Sequence, residues 1–246
     1  MELALVFLVG TVSGFLGGII SGGFSILVFS LLSILGYPAL IILGLLRLGL
    51  LGSNIGGLMV YHNAKMIVWK YVPLMSVIGA VGAYVGVRLI IELDARIIEQ
   101  IVAIGIIIGL LFVLAKPQLG VMSFVPSKSR IFFSYIAYFF VVVWSTSITI
   151  GVGLFNMLVQ TLGLGMNMLE MKATMKIPAL IIGLVALAVY LQAGLIDWPT
   201  GLSLMLGTLV GSNLGARGSM RLGNKWLKYL FVALMLGFAI KLMFGL

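Results

Sequence analysis

The chain has no cysteine, a single histidine (His62) and only six carboxylates among its 246 residues. The absence of cysteine excludes disulfides, thiolate metal ligands and cysteine nucleophiles. Most of the carboxylates lie beside charged or turn-like segments instead of inside apolar runs, so they offer little to a dicarboxylate metal site or an intramembrane protease. We therefore expect a protein that is not an enzyme, with no cofactor and no bound metal.

Charge is also scarce. Charged residues make up 9% of the chain and hydrophobic residues 62%, whereas soluble domains carry about 25% charged residues. One soluble core of this size could not bury so much apolar surface. The composition predicts an integral membrane protein with a single transmembrane domain over residues 1–246. The net charge of +9 fits basic loops beside membrane spans and does not indicate nucleic acid binding.

Apolar runs separated by turn residues predict the membrane segments. They are Leu3–Leu35, Pro38–Tyr61, Trp69–Ile91, Ile97–Ala115, Ile131–Leu164, Asn167–Tyr190, Trp198–Ala216 and Trp226–Phe244. The polar stretch 116–130 contains Pro117, Gly120 and Pro126, as expected of a linker. It separates repeat 1 (1–115) from repeat 2 (131–246).

The two halves are related by an ungapped offset of 129 positions. This offset pairs Tyr61 with Tyr190, Trp69 with Trp198 and Arg88 with Arg217. Coincidences of tyrosine, tryptophan and arginine are rare in a chain rich in glycine and leucine, so we interpret the halves as an internal duplication. Such duplications are common in secondary transporters.

The first run of each repeat is too long for one span. Leu3–Leu35 would extend about 50 Å as a continuous helix, against roughly 30 Å of hydrocarbon. Two comfortable spans would need more residues, and glycines interrupt the run near its middle. We therefore predict an all-α, polytopic helical bundle in which each repeat has a glycine-broken helical hairpin plus three spans. Whether the hairpin crosses twice or is re-entrant stays open.

The distribution of charge predicts how the repeats are oriented. If each hairpin returns to its starting side, one side of the membrane receives ten cations and the other three. If each first run crosses once, the split is six against seven, without the bias that the positive-inside rule expects. The sequence thus predicts inverted repeats in a multi-pass cell membrane protein (plasma or inner membrane), with both termini outside.

These features resemble a known family. A glycine-rich first helix precedes a Gly-Tyr-Pro-Ala turn at 36–39, glycines 79, 82 and 86 lead to Arg88, and the second half repeats the order up to Arg217. The chain is similar to the sulfite exporter TauE/SafE family of permeases over nearly its whole length. The resemblance implies transport of sulfite or an organosulfonate. The chain departs from the family pattern at Arg47, where small residues are common.

Two cations define the candidate substrate site. Arg47 lies about 13 Å along its predicted span, near the midplane, where a cation costs at least about 2.5–3.5 kcal/mol. Lys176 is its equivalent in the second repeat. Two cations without buried acids would attract an anion, although a cation at this depth can instead cap the carbonyls of a broken helix.

Backbone N–H groups at the helix breaks and nearby polar side chains complete the predicted anion site. They are Gly18, Ser21, Gly22, Gly23, Ser25, Asn54, Ser147, Thr149, Gly151 and Asn156.

The functional hypothesis is a secondary transporter that carries a small anion by alternating access, with its site between the two repeats. An anion channel with the same lining is one alternative, and a non-transporting membrane scaffold is another. The partners expected are the anion and the lipid bilayer. The sequence leaves a monomer and a homodimer equally open.

Overall fold

A computed structural model describes residues 2–19, 24–89, 120–147, 152–192, 194 and 196–244. This part of the chain is all-helical and contains no strand, as predicted. The helices are α1 (Glu2–Ile19), α2 (Phe24–Ile34), α3 (Ala39–Asn63), α4 (Val72–Leu89), α5 (Lys128–Ser147), α6 (Val152–Leu158), α7 (Met168–Thr174), α8 (Lys176–Gln192) and α9 (Trp198–Phe244). A 3₁₀ turn (Trp69–Tyr71) precedes α4, and a π turn (Val159–Gly163) follows α6. The predicted span Ile97–Ala115 lies outside the described residues.

Several helices can cross a membrane. Within the described ranges, three are long and apolar enough, namely Glu2–Ile19, Trp69–Arg88 and Lys128–Thr146. The bent pair Met168–Thr174 and Lys176–Gln192 makes a fourth if the two helices count as one span. Their outward faces carry large apolar side chains, which is the pattern expected where lipid replaces water.

The first apolar run folds as a helical hairpin. Helix α1 ends at Ile19 and α2 begins at Phe24, where a Cβ added to Gly17 would lie 2.8 Å from the Phe24 Cβ. After α2, the Tyr37 hydroxyl donates a 2.6 Å hydrogen bond to the carboxylate of Glu2. Burial and this hydrogen bond raise the pKa of Tyr37, so the phenol stays protonated at neutral pH. The chain has therefore returned to the level at which α1 began.

The second repeat makes the same return. The Phe124 N–H, before α5, donates to the Gly165 carbonyl at 2.9 Å, and the Met168 N–H donates to the Gly120 carbonyl at 2.8 Å. The segment that follows α6 thus lies beside the segment that precedes α5.

Left-handed backbone positions recur at the offset of the duplication. Gly36 and Gly165 have φ of +87° and +73°, and Lys65 and Gly194 have φ of +55° and +69°. Both pairs are separated by 129 positions. Because most L residues avoid positive φ, the two pairs of turns share an unusual backbone conformation at the same offset.

Alanine at the two equivalent turns will separate the cost of the backbone from the cost of a clash. A Cβ on Gly36 would meet no atom of the described residues within 4 Å, so Gly36→Ala should cost only the ~1–2 kcal/mol of left-handed strain. A Cβ on Gly165 would in addition overlap the Phe124 carbonyl. We expect Gly165→Ala to lower the apparent melting temperature of the purified protein more than Gly36→Ala. Equal losses would contradict the packing at Gly165.

The helices of one repeat pack on those of the other. Helix α1 packs along α9 and α5 along α4, while α3 packs on α9 and α8 on α4. Each of these contacts joins a helix that precedes the predicted linker to a helix that follows it. The equivalent helices α3 and α8 meet at the centre.

Helices α3 and α8 run antiparallel. Lys176, at the start of α8, contacts Ser53 and Asn54 in the second half of α3. Near the other end of α8, the Tyr190 ring lies 5.2 Å from the guanidinium carbon of Arg47 in the first half of α3.

Helix α9 contains the boundary that the sequence predicts between its last two segments. Gly223, with φ +74° and ψ 169°, interrupts the helical backbone. The Leu169 N–H of α7 donates to the Asn224 side chain at 2.9 Å, so this kink is anchored to the start of α7. The part before the kink is longer than the predicted Trp198–Ala216.

Candidate functional site

The site is centred on a bend between α7 and α8. The two helices meet at Met175 and differ in direction by 40°. Pro178 has no N–H with which to bond the Thr174 carbonyl, and its ring crowds that carbonyl, so the helix cannot continue straight. A capping box fixes the start of α7, because Asn167 and Glu170 each accept a 2.9 Å hydrogen bond from the other's backbone N–H.

Two lysines lie on either side of this bend, Lys172 in α7 and Lys176 at the start of α8. The Lys172 ammonium donates to the carbonyls of Gly18 and Ile19 at the end of α1, the latter at 2.8 Å. The Lys176 ammonium donates to the Ser53 carbonyl and to the Asn54 side-chain oxygen, both at 3.4 Å. An ammonium has three N–H groups, and the described residues supply two acceptors to each lysine. Both lysines thus join repeat 2 to repeat 1.

A cavity of about 180 Å³ opens beside both ammonium groups. Both repeats line it, repeat 1 through α1, α2 and α3 and repeat 2 through α6, the π turn, α7 and α8. The lining residues are Gly17, Phe24, Leu50, Ser53, Asn54, Asn156, Gln160, Met171, Lys172, Met175 and Lys176.

Two amide side chains face the cavity without partners. Gln160 is fully buried, and neither its side-chain oxygen nor its side-chain nitrogen has a hydrogen-bond partner among the described residues. The buried side-chain oxygen of Asn156 is likewise unpartnered there. The two residues are four positions apart and share one helical face. A buried polar group without a partner costs about 1–3 kcal/mol, so both amides favour a polar guest.

The described lining of the cavity carries positive charge and no carboxylate. Glu170, two positions before Lys172, uses a carboxylate oxygen to cap α7. A buried cation is expensive unless something compensates its charge. An anion in the cavity would do so, with charge-assisted hydrogen bonds from both lysines.

Arg47 lies elsewhere. It is 6% exposed, its terminal nitrogen donates to the Thr146 carbonyl at 3.5 Å, and its guanidinium stacks on Tyr190. It is not among the described residues that line the cavity, and it lies about 10 Å along α3 from Asn54. Its Nε has no partner in the described part of the chain. The carbonyl contact near the end of α5 is the capping role that the sequence left open.

The remaining predicted site residues are spread around the helix breaks. Gly18 packs against Gly215 and offers its carbonyl to Lys172. Ser25 is half-buried in α2, and Ser147 is the last residue of α5. Five predicted residues lie outside the described ranges, namely Ser21, Gly22, Gly23, Thr149 and Gly151.

Two residues that the sequence prediction omitted line the cavity prominently. Lys172 lies one turn before Lys176, a spacing that predicts a shared helical face. Gln160 lies four positions after Asn156, a second amide in the same apolar run. Polar side chains at this spacing inside a hydrophobic run were a usable signal.

Comparison with known proteins identifies a family. The family model for the sulfite exporter TauE/SafE matches residues 6–242. Comparisons with curated proteins and with solved structures find no match. The family match covers nearly the whole of the described bundle, including both helix breaks and the lysine-lined cavity. The chain therefore belongs to the sulfite exporter TauE/SafE family of multi-pass membrane transporters.

Proposed function

We propose that this protein exports sulfite or an organosulfonate by alternating access, and that the cavity beside Lys172 and Lys176 holds the anion. The observation that carries the proposal is a cavity whose described lining contains two lysines and no carboxylate. Backbone carbonyls at the end of α1 orient Lys172, while Asn54 orients Lys176. An anion that enters the cavity exchanges its hydrogen bonds with water for charge-assisted hydrogen bonds from the two lysines.

Inverted repeats are part of the proposal. The antiparallel packing of the equivalent helices α3 and α8 supports them, because equivalent helices of parallel repeats would run in the same direction. The two hairpins, each returning to the level at which it began, support an odd number of crossings in each repeat. With the charge distribution, this gives the proposed topology, with both termini outside the cell membrane.

Inverted repeats also give Arg47 a role. Lys176 and Arg47 are equivalent, yet Lys176 lines the cavity while Arg47 caps a carbonyl near the end of α5. We propose that transport exchanges these environments. In the conformation open to the other side of the membrane, Arg47 would leave Thr146 and face the anion from repeat 1. Lys176 would then move away from the anion. The site would thereby be exposed alternately to the two sides of the membrane.

The membrane potential favours export. An interior-negative potential drives an anion outward by about 2.3 kcal/mol per charge per 100 mV. The membrane potential alone therefore drives export, without a coupling ion.

Flux measurements on liposomes containing the purified protein test the proposal. We expect sulfite or methanesulfonate flux that saturates with concentration and accelerates when the imposed potential favours anion movement. Protein-free liposomes give the background rate. Resolved single-channel currents would instead indicate an anion channel. Flux equal to the background for all sulfur anions would contradict transport.

A further inference from the structure

The chemistry of the cavity narrows its ligand further. Resting on the proposed function, we infer that the site selects a compact oxyanion that still carries an O–H group, such as hydrogensulfite, over a fully deprotonated one. The inference depends on the amides of Gln160 and Asn156, which face the same cavity as the two lysines.

The lysines alone do not distinguish between oxyanions. An ammonium only donates hydrogen bonds, so Lys172 and Lys176 satisfy any negative oxygen. Sulfite, sulfate and sulfonates all present such oxygens. A site built from these two residues alone would favour the highest negative charge.

The unpartnered amides add a second requirement. Whichever way its amide is turned, Gln160 presents one acceptor oxygen and one donor nitrogen, and both are buried and unpartnered among the described residues. Asn156 adds a buried acceptor oxygen. A fully deprotonated oxyanion has no hydrogen to offer these oxygens, and its lone pairs would face theirs. An anion with an O–H group satisfies an amide oxygen and leaves its remaining oxygens for the lysines.

The backbone around Gln160 fixes the position of this residue. It lies in the π turn Val159–Gly163, and its backbone carbonyl accepts a 3.1 Å hydrogen bond from the Met166 N–H. π turns frequently occur at functional sites. This π turn carries the fully buried amide that lines the same cavity as the two lysines.

The cavity also limits the size and the charge of the ligand that it can hold. Phe24, Leu50, Met171 and Met175 line the cavity with apolar surface, and 180 Å³ accommodates a compact anion with a few waters. Two ammonium groups would repel a ligand that itself carries an ammonium group. We therefore expect the site to reject 2-aminoethanesulfonate although it is a sulfonate.

Binding measured by thermal shift tests the inference on the full-length protein in detergent. A ligand that binds the folded state raises its apparent melting temperature in proportion to the logarithm of concentration over Kd. Sulfite is titrated below and above its second ionisation. Methanesulfonate, whose charge is constant over this range, reports any change in the lysines themselves. After this correction we expect hydrogensulfite to bind at least roughly 10-fold more tightly than the dianion or sulfate, the loss expected when a buried polar group stays unpaired.

Gln160→Met removes the amide and retains volume and flexibility. We expect this variant to lose the preference for hydrogensulfite over the dianion, measured as the ratio of the two affinities. Equal or tighter binding of the dianion by the unmodified protein, or an unchanged preference in Gln160→Met, would overturn the inference while leaving the proposed function intact. Stabilisation by none of the sulfur anions would instead contradict the proposed function. Binding of 2-aminoethanesulfonate as tight as that of methanesulfonate would overturn the charge exclusion.

Discussion

Replacing Lys176 by methionine should weaken sulfite binding by roughly 10- to 150-fold and abolish measurable transport. The expected loss corresponds to a hydrogen bond to a charged group, worth about 1.5–3 kcal/mol. Methionine preserves much of the length of the side chain and removes its charge. Helix α8 should be unaffected, because methionine and lysine have similar helix propensities. The measurements are the sulfite-dependent thermal shift and the initial rate of flux in liposomes.

Two variants control for this loss. Lys128 is exposed at the start of α5, so Lys128→Met removes the same charge from the same residue type without touching the cavity. It should bind and transport normally. Arg47→Met should keep the sulfite-dependent thermal shift, since Arg47 lies apart from the cavity in this conformation, and should lose transport.

Together, the three variants distinguish anion binding from the proposed exchange of environments between Lys176 and Arg47. If Lys176→Met binds sulfite as tightly as the unmodified protein, the anion does not lie beside Lys176. If Arg47→Met transports at the normal rate, the proposed exchange between the two repeats does not occur through Arg47. Loss of the thermal shift in Lys128→Met would point to a general effect of net charge instead.

Gly211→Ala should destabilise the protein by about 1–3 kcal/mol, which lowers the apparent melting temperature by roughly 2–12 °C. Helices α1 and α9 approach so closely that a Cβ on Gly211 would overlap the Thr11 carbonyl and lie 2.8 Å from the Phe15 backbone nitrogen. Backbone atoms of two packed helices cannot move aside as a flexible side chain can. Small residues at such crossings are the usual means by which membrane helices reach van der Waals contact.

Gly218→Ala, in the same helix, is the matched control. Among the described residues, its Cβ would meet only the Ile19 side chain at 3.6 Å, an ordinary contact distance. Alanine is the better helix former by up to about 1 kcal/mol, so this variant should match or exceed the stability of the unmodified protein. Equal destabilisation of Gly211→Ala and Gly218→Ala would contradict the close contact between α1 and α9.

Much of the architecture is predictable because it depends on local pattern. The stop in the first apolar run follows from its length and its glycines, and α1 ends at Ile19 where that reasoning places the break. The prediction of a duplication follows from rare residues at one offset. The same offset recurs in the positive φ angles of Gly36 and Gly165. The sequence alone does not give these backbone angles.

The site was harder to predict because it depends on which helices meet. The sequence identifies Arg47 and Lys176 as buried cations but does not give the register of α3 against α8. Antiparallel packing places Lys176 beside Ser53 and Asn54, and places Arg47 beside Tyr190. The two equivalent cations therefore occupy different surroundings, although their positions in the repeats are the same.

Gln160 illustrates a second limit. A glutamine in an apolar run has several ways to be satisfied, and its pattern alone does not reveal a π turn. Only the packed structure shows that Gln160 is fully buried, faces the lysines and has neither amide atom paired among the described residues.

Locating the anion itself tests the central claim most directly. Selenite has the same charge and shape as sulfite, and its selenium is visible by anomalous scattering in crystals of the protein. The account predicts a selenium peak inside the cavity, with an anion oxygen within about 3 Å of the Lys176 ammonium nitrogen. In Lys176→Met crystals the peak should be absent or much weaker. A peak found only at the protein surface, or one equally strong in Lys176→Met, would contradict the account.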